Sequence, residues 1–232
     1  MIERYTRPEM AKIWDIEHRT QKWLEVELAV CDGLAEYGYI PRESAQTIRE
    51  RACFDLQRMA ELEKITRHDV MAFVRNVEEN VGAEGRYVHY GITSYDVVDT
   101  ALALLLRDSC DQLIARARRL AEVIARLAKE HKYTPMIGRT HGIHAEPITF
   151  GFKLAGWYDE MLRNLKRLEF TREMVSMGKV SGAVGIHANI DPRVEEYVCA
   201  KLGLKPAPAS TQIISRDVHA TYLSTLSILA AS

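Results

Sequence analysis

Apolar residues recur along most of this chain at spacings of three and four, the period of a helix that buries one face. Over 94–131 the positions Leu106, Cys110, Leu113, Ala117, Leu120, Ile124 and Leu127 alternate four and three apart, the seam of left-handed helix packing. Gly151, Leu154, Tyr158, Met161, Leu165 and Leu168 repeat the pattern within 148–176. The two segments predict long helices, antiparallel across a loop at 134–147. A third long helix is expected from near Ser215, and its pattern is still apolar where the sequence stops. Glycine and proline, which interrupt helices, are absent from 42–81, 92–134, 157–177 and 209–232. A helix from Ser94 to about His131 would be roughly 55 Å long at ~1.5 Å per residue. Alternation of β-branched residues is hard to find, so the fold class is all-α.

Shorter helices fill the first part of the chain. Pro8 to Tyr37 reads as one or two amphipathic helices with Trp14, Trp23, Leu24, Leu28 and Cys31 facing inward and Gly38 as the stop. Pro41 starts a helix over 41–52, and Asp55 caps another over 56–64. Thr66-Arg67-His68-Asp69 interrupts the pattern before Val70 to Asn80 resumes it, and Gly82 and Gly85 close it. Further on, Asp191-Pro192 caps and opens a helix over 192–202 that Gly203 ends, and Lys205-Pro-Ala-Pro-Ala-Ser reads as an extended linker. The expected division is a short-helix N-terminal domain, 1–92, and the first part of a long-helix bundle, 93–232. Apolar seams of this length are seldom buried by one chain, which points to a bundle core shared between subunits.

Charge and cysteine content narrow the partners. The 232 residues carry 31 Lys and Arg against 32 Asp and Glu, a net charge of −1, so no bulk attraction to polyanions is expected: no nucleic acid and no membrane surface. No apolar run approaches the ~20 residues that span a bilayer. Cys31, Cys53, Cys110 and Cys199 show no ligand spacing and suit reduced thiols, which with the absence of a leader points to the cytoplasm.

Chemistry gathers at the interruptions. Thr66-Arg67-His68-Asp69 packs a cation, an imidazole and a carboxylate into one helix break. In Tyr87 to Asp96, Thr93-x-x-Asp96 resembles a capping box, and the start of a long helix beside the Thr93 and Ser94 hydroxyls suits a carboxylate or phosphate. Gly138-Arg139-Thr140-His141-Gly142-Ile143-His144-Ala145-Glu146-Pro147 joins two long helices. His141, His144 and Glu146 allow a metal site, but without a second ligand cluster a single imidazole as acid or base is the better use. The fourth stretch, Gly178 to Gly185 followed by Gln212, lacks the ending of a phosphate-binding loop and reads as a tight turn. His18, His131, His187 and His219 are read as ordinary polar or packing histidines.

Together these blocks resemble the adenylosuccinate lyase family within the fumarase/aspartase superfamily. The resemblance rests on Ile2 to Met10, Thr66 to Val70, Val88 to Ser94, Gly138 to Pro147 and Lys179 to Gly185, in that order. It implies β-elimination of fumarate from adenylosuccinate and from succinyl-aminoimidazole carboxamide ribotide, with no cofactor and no metal. By position, His141 would be the proton donor to the leaving nitrogen, with Thr140 beside it and His68 assisting. Arg67 and Asp69 would contact the nucleotide, Arg4 and Tyr5 its phosphate and ribose, Thr93 and Ser94 the succinyl group. His89 would be a secondary anion contact and Gln212 another substrate contact. The family's homotetramer, whose active sites draw on three subunits, would account for the unburied seams. The family's proton-abstracting serine, on a Ser-Ser-x-Met-Pro-x-Lys loop, has no counterpart here, so the expectation is the N-terminal portion of such an enzyme, inactive alone.

Overall fold

The computed structural model describes residues 2–232. Helices α1 (Pro8–Ile13) and α2 (Ile16–Glu36) replace the single or double helix expected over 8–37, followed by α3 (Arg42–Arg51), α4 (Leu56–Thr66) and α5 (Asp69–Val81). Helix α6 (Ser94–Glu130) has 37 residues, or roughly 55 Å at ~1.5 Å per residue. A hairpin of β1 (Pro135–Thr140) and β2 (Ile143–Thr149) leads into α7 (Phe150–Val175). Strand β3 (Met177–Gly178), α8 (Pro192–Leu202), β4 (Lys205–Pro206) and α9 (Asp217–Ala230) complete the order, and β3 pairs with β4 in parallel. The caps fall where the sequence puts them: Asp55 accepts the Arg58 N–H, Asp191 that of Arg193, and Gly203 ends α8 in the left-handed conformation.

The segment expected as a loop at 134–147 is instead an antiparallel hairpin. Its reason is local: His141 and Gly142 have φ of 53° and 76°, and two consecutive left-handed residues form the tight turn whose twist matches paired strands. Short strands of mixed polarity carry little periodicity, so the turn chemistry was the only clue. The segment from Lys205 likewise contributes a short strand where an extended linker was expected.

Two compact units form. The first comprises the chain up to Asp108 with Met174–Val218, and the second Ser109–Glu173 with His219–Ser232. The core of the first unit joins Trp23, Val26, Val30 and Leu34 of α2 to Phe73 and Val77 of α5, Val97 and Leu104 of α6, and Val194 and Val198 of α8. Compactness thus divides the chain elsewhere than at residue 92, because the first turns of α6 are tied to loops of that unit.

In the second unit Ile114, Ala117 and Ala121 pack against Met161, Leu165 and Leu168. Asp111 pairs with Arg172 and Arg118 with Glu169, so α6 and α7 run antiparallel as expected. Gly151 permits the close approach that joins them, for a Cβ there would lie 2.5 Å from the Ala128 carbonyl oxygen. Helix α9 joins through hydrogen bonds of Thr225 to Thr171 and Tyr222 to Ser109, both 2.7 Å. The α6 seam differs in detail: Leu120 is 48% exposed, while Ala121 is buried, because 3.6 residues per turn drifts against a strict alternation of three and four.

Candidate active site

The first turns of α6 are held by two buried aspartates. Asp96 Oδ2 accepts the Thr93 N–H at 2.9 Å, the reciprocal half of the expected capping box. Its Oδ1 pairs with the Lys179 ammonium, both side chains being 0% exposed, and accepts the Ser181 N–H at 3.1 Å. The Gly182 N–H approaches both carboxylate oxygens, at 3.3 and 3.1 Å. Lys179 also donates to the Gly182 carbonyl at 3.0 Å, and Thr100 bonds the Lys179 backbone at both its N–H and its carbonyl. One turn along, Asp99 accepts the Ile214 N–H at 2.8 Å and two Arg216 nitrogens at 3.0 and 3.1 Å. The loops 179–182 and 214–216 are therefore strapped to one helix end.

This wiring changes what the helix end offers a ligand. The Thr93 N–H is already occupied, and the Asp96 charge is compensated by Lys179. An anion at this end therefore depends on the half-buried Thr93 and Ser94 hydroxyls more than on that amide.

His68 is brought to Ser94. Arg67 ends α4 in the left-handed conformation, with φ of 51°, and His68 becomes the N-cap of α5. The His68 Nδ1 accepts the Met71 N–H at 3.3 Å, and Nε2 lies 3.3 Å from Ser94 Oγ. A neutral imidazole that accepts at Nδ1 carries its proton on Nε2, so the cap sets the tautomer that donates toward Ser94. Asp69 Oδ1 lies 3.5 Å from the same Nδ1 and accepts the Val70 N–H at 2.8 Å.

His89 is held by Glu27 of α2, which is 1% exposed. The carboxylate meets Nδ1 at 2.6 Å and accepts the His89 N–H at 3.0 Å. Burial pushes the imidazole pKa down, but the Glu27 hydrogen bond and the charges of Glu27, Asp96 and Glu78 outweigh it and raise it above the ordinary histidine value.

The remaining candidates are exposed. Arg4 lies over the ring of its neighbour Tyr5 at 4.7 Å, and Tyr5 is exposed. Gln212 is exposed between Ser210, which bonds Ser181 at 2.9 Å, and the Ile214 anchor on Asp99. Thr140 and His141 are exposed at the hairpin tip in the second unit. Among the described residues no group of three or more His, Cys, Asp or Glu side chains is placed to hold a metal ion, and His141, His144 and Glu146 do not form one.

Backbone strain marks the same residues. Among the described non-glycine residues, positive φ occurs at Arg67, His89, His141 and His187, and the first three are sequence candidates. Such conformations persist where the surroundings enforce them, often at functional sites.

The family described as Lyase matches residues 3–232. The chain belongs to the lyase family, within the fumarase/aspartase superfamily. It is 57% identical over 232 residues to the adenylosuccinate lyase of Bacillus subtilis (strain 168), covering 100% of this chain and 54% of that protein. The adenylosuccinate lyase of Synechocystis sp. (strain ATCC 27184 / PCC 6803 / Kazusa) is 56% identical with the same coverage. The chain spans about half the length of these curated relatives. Among solved structures, the fumarate lyase from Mesorhizobium sp. BNC1 superposes with a TM-score of 0.92 at 28% identity, over 98% of this chain and 55% of that one. The 3-carboxy-cis,cis-muconate lactonizing enzyme from Pseudomonas putida gives 0.89 at 30%, over 97% of this chain and 54% of that one.

Within this lyase-family chain, sequence reasoning missed the residues behind the candidates. Glu27 and Asp99 were not singled out, Lys179 entered only as the first residue of a matching block, and the stretch read as a tight turn at 178–185 is pinned by Asp96 and by Glu195, whose Oε1 accepts the Val180 N–H at 2.8 Å. His187, taken as ordinary, has φ of 55° and lies 2.9 Å from Glu195 Oε2.

Proposed function

We propose that this chain supplies the nucleotide site and the proton donor of an adenylosuccinate lyase of purine nucleotide biosynthesis. The observation that carries the reading is 57% identity to such an enzyme over the whole chain. It is supported by the His68–Ser94 contact at the α6 start, where an imidazole and two hydroxyls await an anionic group. In the reaction a base removes a proton from the carbon β to nitrogen, and that electron pair becomes the carbon–carbon double bond. The carbon–nitrogen bond breaks, its electrons go to nitrogen, and an acid protonates the leaving amine. His141 is the assigned acid, with Thr140 beside it. Thr93 and Ser94 bind the succinyl carboxylates, His68 donates through Nε2, Arg67 and Asp69 meet the nucleotide, and Arg4 and Tyr5 its phosphate and ribose. His89 and Gln212 make further contacts. The base is assigned to no residue of this chain, and the step needs no cofactor. The substrates are adenylosuccinate, giving AMP, and succinyl-aminoimidazole carboxamide ribotide, giving the carboxamide ribotide, with fumarate released from each.

Exposed Phe152, Trp157 and Phe170 on α7 and Leu223 on α9 support assembly as a homotetramer. Among the described residues no helix is long and apolar enough to cross a membrane, and a cytoplasmic location is part of the proposal.

The test uses the full-length protein that contains this sequence. Adenylosuccinate is expected to yield AMP and fumarate in equal amounts, and His141→Ala to lower kcat by about 10²–10⁴. Turnover of argininosuccinate instead, or an undiminished His141→Ala enzyme, would overturn the reading.

A further inference from the structure

Glu27 lies on the apolar face of α2, among Trp23, Val26, Val30 and Leu34, where an unpaired carboxylate would be costly. Among the described residues one, His89, answers its charge in direct contact. His89 gives it both the Nδ1 contact at 2.6 Å and the backbone N–H at 3.0 Å, and the backbone there is left-handed, with φ of 62°. A two-point grip on one residue fixes both the ring and the chain that carries it. With Nδ1 engaged, Nε2 is the ring atom left for a ligand, and the side chain keeps 14% exposure.

We propose that Glu27 is a positioning residue that holds His89 so that its imidazole receives an anionic group of the bound ligand, a phosphate or a carboxylate. The assignment of that ligand as a nucleotide rests on the function proposed above. The charged groups facing His89 are Glu27 from α2, Glu78 from α5 and Asp96 from α6, with Arg75 beside Glu78. Asp96 is already neutralised by Lys179, which leaves Glu27 as the partner in direct contact. These carboxylates keep His89 cationic to higher pH than an ordinary histidine. A group whose folded pKa is raised contributes its stabilisation below the unfolded value and loses it as pH rises through the folded one. Anion binding that needs the imidazolium follows the same limb.

The experiment compares full-length wild type with Glu27→Gln, Glu27→Asp, His89→Gln and the double variant. Glu27→Gln keeps the shape and removes the charge. It is expected to raise KM about tenfold, with a smaller effect on kcat, and to move the alkaline limb of kcat/KM down by about one pH unit. Glu27→Asp restores part of that shift. In the His89→Gln background the added Glu27→Gln change has little further effect, because Glu27 acts through His89. Far-UV circular dichroism confirms folding, and the double variant, which carries neither partner, keeps the comparison available if the single one is unstable.

A pH limb unmoved in folded Glu27→Gln, or a full Glu27→Gln effect persisting in the His89→Gln background, overturns the proposal. NMR titration of His89 with inorganic phosphate as the probe separates this from a failure of the lyase reading. If the protein does not cleave adenylosuccinate, a lower His89 midpoint and weaker phosphate response in Glu27→Gln still support the role of Glu27. An unchanged midpoint refutes it.

Discussion

Removing one side of the Lys179–Asp96 pair tests the claim that loop 179–182 is anchored on the start of α6. In Lys179→Met the side chain is shortened only slightly and the cavity stays filled, so packing changes little. Asp96 keeps its contacts from the Thr93, Ser181 and Gly182 N–H groups but loses its cation. Breaking a buried pair costs about 3–5 kcal/mol, and three retained donors place this variant near 3 kcal/mol. Asp96→Asn is the more severe change. It strands the Lys179 ammonium, whose remaining acceptor is the Gly182 carbonyl, and turns an amide nitrogen toward backbone N–H groups that had an oxygen. Each buried donor left unsatisfied adds about 1–3 kcal/mol, so a cost near 5 kcal/mol is expected. Urea unfolding followed by far-UV circular dichroism in the full-length protein gives both values, provided the denaturant slope is unchanged. The reasoning fails if Lys179→Met costs less than about 1 kcal/mol or costs more than Asp96→Asn.

The hairpin and the thiols offer two further tests. Gly142, with φ of 76°, tolerates Asn but not Val, which should cost about 1–2 kcal/mol locally and shorten hydrogen-exchange protection across Arg139 to His144; equal protection in the two variants would refute the turn assignment. At about pH 8 a thiol reagent should modify only one of these four cysteines in the native protein, the exposed Cys53. Burial raises the Cys110 pKa to about 11 and the Cys199 pKa to about 12, and that of Cys31 further. A second thiol reacting before unfolding would contradict this.

Periodicity made the helices legible because each long helix must bury a stripe, and the stripe is written in the sequence. Caps were legible for a related reason, since Asp55, Asp191 and Gly203 act on atoms two to four residues away. The hairpin was not, because its strands of six and seven residues are largely exposed and bury no regular face. Its one local signature is His141-Gly142, and that pair reads as a turn only when the strands on either side are already suspected.

The site was half legible for the same physical reason. Arg67, His68, His89, Thr93, Ser94 and His141 sit at breaks, where polar residues stand out against a helical pattern. Glu27 and Asp99 lie inside the pattern, as does Asp96, of which only the capping role was legible. Extending the α6 seam backward from Leu106 by three, four and three residues reaches Ala103, Asp99 and Asp96, so the aspartates are in phase with the apolar stripe. Glu27 is likewise four residues from Trp23 and three from Val30. A carboxylate on an inward-facing position has to be paired, and its partner is distant in sequence: Lys179 for Asp96, Arg216 for Asp99, His89 for Glu27. The seam thus marks where one stripe of α6 turns from hydrocarbon to carboxylates that anchor loops, while Val97, Ala101 and Leu104 beside it stay in the core. That change of role puts Thr93 and Ser94 at a fixed helix end, with His68, the N-cap of α5, meeting Ser94.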